Sequence, residues 1–106
     1  MRKNAREVLD AWQEHRPCRR HRSISTNGET VYSYDTAIMH REPNGRVILN
    51  LTKYSRTTSG QQTSCAVVAP HALHVQGLPI GATCHDLSHA AGAPGTSQAT
   101  VDNLEN

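Results

Sequence analysis

Phenylalanine is absent from this chain of 106 residues, and its aromatic set is one Trp and three Tyr. Leu, Ile and Val together number 18, a share low enough for disorder to compete with folding. Disorder also needs high net charge, and 11 Lys and Arg against 9 Asp and Glu leave only +2. These shortages predict one small, thin-cored, polar domain. A core so thin also leaves room for a homodimer. No apolar run approaches the roughly 20 residues that cross a bilayer, so no membrane partner is expected. Arg2, Lys3, Arg6, Glu7 and Asp10 stand where a secretory signal would be apolar, which predicts a cytoplasmic protein.

The familiar chemical signatures are missing as well. Three cysteines, Cys18, Cys65 and Cys84, are an odd number with no Cys-x-x-Cys pair, which points to reduced thiols rather than a disulfide framework. Cys65, beside Ala66, Val67 and Val68, reads as a small apolar filler. Cys18-x-x-His21 and Cys84-His85-x-x-x-His89 have ligand-like spacings, but neither is a known finger half. Asp86 also stands where a zinc-protease motif needs Glu after its first His. With seven His and three Cys such pairs arise by chance, so no metal is assigned. Ser55, Ser59 and Ser64 lack a nucleophile elbow. The seven glycines are spread from Gly28 to Gly95 and form no phosphate cradle, while Asp35 and Asp86 are isolated. A non-enzymatic protein without a cofactor is the expectation.

What is present is a charge gradient. Residues 1–22 carry a net +4, residues 23–56 a net +1, and residues 57–106 a net −3, with no Lys or Arg after Arg56. Arg16, Arg19, Arg20 and Arg22 lie within seven residues. Four permanent guanidinium forks so close together suit phosphates, and they suggest contact with nucleic acid.

Periodicity predicts a helix over Asn4 to Arg16, capped by Asn4 with Glu7 reaching back and stopped by Pro17. Ala5, Val8, Leu9 and Trp12 share its apolar face, with Trp12 as a core anchor. Asn27-Gly28 predicts a tight hairpin joining residues 23–26 to 29–34, with Ile24 opposite Val31. Glu42-Pro43-Asn44-Gly45 predicts a second turn between residues 37–41 and 46–54. Thr58-x-x-Gln61 and Ser59-x-x-Gln62 match capping patterns for a second helix, which Pro70 should break; the alternative over so short a run is a strand through Thr63 to Val68. Thr83 to Ala91 fits a further short helix ended by Gly92. The expected class is α+β, with an N-terminal helix on an antiparallel meander of three or four strands and a second helix. It fills one domain over residues 1–92, followed by a disordered tail over 93–106.

Hydroxyls, amides and tyrosines crowd two stretches, Tyr32 to Ile38 and Asn50 to Gln62. Lys53, Tyr54 and Arg56 could support base stacking and phosphate contact beside the arginine run. Tyr32, Tyr34 and Tyr54 could instead form a surface for a host protein. A third reading spends the same hydroxyls internally, on capping the second helix and pairing strands. The pattern Tyr34-x-Thr36-x-Ile38, then Asn50-x-Thr52-x-Tyr54-Ser55-x-Thr57-Thr58-Ser59-x-x-Gln62, resembles a family of short bacteriophage and prophage proteins without a settled activity. The likeness spans about residues 23–68. Gln61 stands where members of that family often carry His, and no catalytic residue comes with the resemblance. It implies a small phage-encoded protein acting in a bacterial cytoplasm.

Overall fold

The computed structural model describes residues 1–92; the tail expected over residues 93–106 lies outside them. The order is α1 (Lys3–Gln13), β1 (Ile24–Thr26), β2 (Thr30–Ser33), β3 (Thr36–Arg41), β4 (Val47–Asn50), α2 (Arg56–Val68), β5 (Leu73–Val75) and α3 (Cys84–Ala91). The expected α+β architecture is present: α1 lies on an antiparallel meander, β1 to β4. The sheet gains a fifth strand, β5, parallel to β4 and reached through α2. None of the helices among the described residues is long and apolar enough to cross a membrane.

Both faces of the sheet are covered. On one face Ala5, Val8, Leu9 and Trp12 of α1 pack with Ile24, Val31, Ile38, Met39, Leu49 and Cys65. On the other, Leu87 and Ala91 of α3 close over Ala37, Ile48, Leu73 and Val75. A bulge makes the first core possible: Val31 pairs with Met39 and Tyr32 with Ala37, leaving Ile38 as the extra residue of β3. The extra residue lets consecutive Ile38 and Met39 both enter one core, against the normal alternation. Burial raises the Cys65 thiol to about 12, so this sulfur is packing material.

Three local expectations are corrected. Helix α1 ends at Gln13, three residues before Arg16. His15 takes a left-handed φ of 58°, its N–H donates to Trp12 O and that of Arg16 to Ala11 O. That double closure terminates a helix before any proline is reached. At its start, the N-cap is Arg2 with no side-chain bond, and Glu7 turns instead toward Arg20 and His21. Secondly, the β1–β2 register is Ile24 with Ser33 and Thr26 with Val31, two residues wider than a tight Asn-Gly turn. Asn27 Oδ1 accepts from the amides of Glu29 and Thr30, and this Asx-type loop takes up the extra residues. A slip of two keeps every side chain on its face, so the core is unaffected. Gly28 is required here: its φ is +105°, and a Cβ would lie 3.0 Å from His15 O. Thirdly, β4 stops at Asn50 rather than Tyr54, and the cap of α2 is Ser55, whose Oγ accepts from Thr58 N. Thr58 and Gln61 sit inside the helix, buried.

Glu42, just beyond β3, pairs with Arg46 across the second turn, both side chains being largely buried. The Arg46 hydrogen bond holds the Glu42 carboxyl below its ordinary value of 4.5. A depressed native pKa means the pair stabilises the fold above pH 4.5 and is lost as pH falls through the native pKa. Acid titration of the unfolding free energy should therefore show a decline below pH 4.5 that is shallower in Glu42→Gln.

Candidate nucleic-acid interface

Helices α1 and α2 pack side by side, and their N-terminal ends border a cleft of about 580 Å³. Arg2 and Lys3 from α1 and Arg56 from α2 line it, and none of its lining residues is acidic. The first amides of a helix have no intrahelical acceptor. In α1 the first such bond runs from Arg6 N to Arg2 O at 2.9 Å, so the amides of Lys3, Asn4 and Ala5 come before it. All three residues line the cleft. Neither helix has an acidic residue in its first turn. A helix start carries partial positive charge, and a cation there is unfavourable by roughly 0.3–1 kcal/mol. Three cations at two such ends form a local conflict that an anion would relieve.

The arginine run only partly joins this surface. Arg16 folds onto Glu14 (2.8 Å) and Arg20 onto Glu7 (3.2 Å). The Arg16 bond holds the Glu14 carboxyl below its usual range, but both groups are more than half exposed, and such pairs exchange readily. Arg19 and Arg22 are exposed and have no ion-pair partner among the described residues. Arg22 immediately precedes Ser23, which lines the cleft. Cys18 anchors the run to the outer edge of β1 through two backbone bonds with Thr26, each 2.9 Å.

The second cluster separates. Arg56 reaches the cleft, and Lys53 is exposed. Tyr54 is tied inward: its hydroxyl donates to Leu78 O at 3.0 Å and accepts from Asn50 Nδ2 at 3.0 Å. Tyr32 leans on the α3-side core, while Tyr34, at a left-handed φ of 52°, is the exposed tyrosine. Near α1, Glu7 Oε1 lies 3.7 Å from Cys18 Sγ and 3.4 Å from His21 Nε2. Among the described residues no three His, Cys, Asp or Glu side chains gather as a metal-binding group. In α3, Asp86 is spent on a capping box with Thr83, and this bonding keeps its carboxyl below its usual range.

Much of the hydroxyl and amide pattern is consumed inside the fold. Asn50, fully buried, donates to Ala37 O and accepts from Thr52 N. Gln62 Nε2 donates to Asn50 O and Thr52 O, Thr58 meets Ser33, and Thr36 accepts from Gly81 N. The internal role weighed for this pattern is thus the one its buried members take. Arg2 and Lys3 were visible in the sequence as charges; the signal that would have singled them out is a helix start with cations and no capping side chain. No family model, curated protein or solved structure matches the chain.

Proposed function

We propose that this is a small phage-type accessory protein that contacts nucleic acid in a bacterial cytoplasm, without enzymatic activity. The observation that carries the contact is the acid-free cleft between two helix starts, with Arg2, Lys3 and Arg56 in its lining. Arg22 and Arg19 extend the cationic surface along the chain that enters β1. The phage context rests on the resemblance over residues 23–68. Backbone contact of this kind reads charge rather than sequence, and it fits a surface where guanidinium groups outnumber exposed rings.

Binding of a labelled single-stranded oligonucleotide, followed by anisotropy across a salt series, tests the reading. Each phosphate neutralised contributes about 0.7 to the slope of log K against log salt for single strands. Replacing Arg2, Lys3 and Arg56 together by Gln should flatten that slope by about 2 units. Affinity that ignores salt, or no binding to any oligonucleotide, overturns the proposal.

A further inference from the structure

Beside the cations, the cleft holds a buried acceptor to which none of them donates. Gln61 lines it and is only 8% exposed. Its Nε2 donates to Ser23 O at 2.8 Å, and its Oε1 is buried with no hydrogen-bond partner among the described residues. A buried carbonyl without a donor is a standing cost that a bound donor removes. Two of the neighbouring hydroxyls are engaged elsewhere: Thr63 donates to Ser59 O and Ser64 to Gly60 O.

A second feature lies one residue away. Gly60 occupies the interior of α2, lines the same cleft, and a Cβ added there would meet nothing within 4 Å. Neither φ nor packing in the fold requires glycine at this position, although glycine disfavours a helix relative to alanine. A missing side chain facing a cleft lets a ligand approach the backbone closely.

We infer that the cleft binds a phosphomonoester with a hydrogen-bond donor close by, the chemistry of a nucleoside 5′-monophosphate or of a 5′-phosphorylated strand end. The phosphate sits among Arg2, Lys3, Arg56 and the open amides of α1, where helix starts favour anions. Gly60 leaves room for it, and a hydroxyl or amine of the nucleoside donates to Gln61 Oε1. An anion with no proton to donate, such as sulfate, satisfies the cations and leaves that carbonyl unpaired, which sets the ligand apart from a bare oxyanion. This inference deepens the proposed nucleic-acid contact and rests on the same cleft.

The test compares one single-stranded oligonucleotide in 5′-phosphorylated and 5′-hydroxyl forms. The phosphorylated form should bind about tenfold tighter, from added charge-assisted bonds. Gly60→Ala should melt at higher temperature than the native chain, yet lose the end preference while still binding the 5′-hydroxyl strand. A nucleoside 5′-monophosphate should displace the phosphorylated strand at lower concentration than sulfate, an oxyanion with no donor. Displacement at micromolar nucleotide supports a soluble nucleotide as the source; end preference that nucleotide does not displace supports a strand end. Equal affinity for the two ends, with salt-dependent binding intact, overturns the end site and leaves the broader contact standing. Absence of binding to either form overturns both. Sulfate competing as well as nucleotide overturns the role given to Gln61.

Discussion

Replacing Asn50 by Ala is expected to lower the unfolding free energy by about 3–5 kcal/mol, from buried groups left unpaired and the cavity created. Asn50 has no exposed surface. Its amide nitrogen serves Ala37 O (3.1 Å) and the Tyr54 hydroxyl (3.0 Å), while its oxygen takes Thr52 N (3.0 Å). The side chain therefore ties β3 to the segment between β4 and α2, and through Tyr54 to the loop at Leu78. Truncation leaves the buried Ala37 carbonyl and the half-buried Thr52 amide without the partner Asn50 supplies. A domain of this size is typically stable by only about 5–15 kcal/mol, so the variant should sit near the edge of folding.

The isosteric Asn50→Asp separates shape from hydrogen bonding. Its carboxylate still accepts from Thr52 N but confronts the Ala37 carbonyl with a second acceptor and a buried charge. Such a group binds a proton more tightly in the native state than in the unfolded chain, so its stability should rise as pH falls. Urea unfolding midpoints at neutral and acid pH check both variants. A loss below about 1 kcal/mol for Asn50→Ala, the value of one ordinary hydrogen bond, would show that the network is not holding the fold.

Legibility in the sequence follows the range of the interactions. Ala5, Val8, Leu9 and Trp12 announce their face because a helix repeats it within one turn, and all four are buried. Thr83 to Gly92 is equally local, since the cap and the stop are read from neighbours. Strand β5 was not legible: three residues, Leu73 to Val75, are too few to show a period, and their partner β4 lies a whole helix earlier. The buried face of α2 was hidden for another reason. Thr58, Gln61 and Gln62 are polar, and hydropathy places such residues outside unless their partners just before β1, on β2 and on β4 are already known. In the candidate site, Arg56 was legible as a cation; its meeting with Arg2 and Lys3 is a product of helix packing across more than fifty residues of chain.

Arg41→Met should cost about 2–4 kcal/mol, the sum of charge-assisted hydrogen bonds and a stacked cation. No basic residue stands in the last turn of α1, yet that end is served from β3. Arg41 Nη2 donates to Trp12 O at 2.7 Å, and Nη1 donates to Glu29 Oε2 at 3.0 Å and to Gly28 O at 3.1 Å. Its Cζ lies 4.0 Å from the centroid of the Trp12 ring, whose Nε1 donates to Glu29 O at 2.9 Å. The same guanidinium thus closes a helix end, a hairpin loop and the main aromatic anchor at once. The Glu29 carboxyl is held below its usual range by its bond to His15 and then by Arg41. Arg41→Lys keeps the charge but not the planar fork, and an ammonium cannot stack on the ring while reaching both Trp12 O and Glu29. It should therefore recover less than half of the loss. Trp12 is the chain's single Trp, so its fluorescence, followed through urea unfolding, reports both the stability and the local packing. If Arg41→Lys matches the native chain in midpoint and emission, charge alone accounts for the contact and the fork geometry is dispensable.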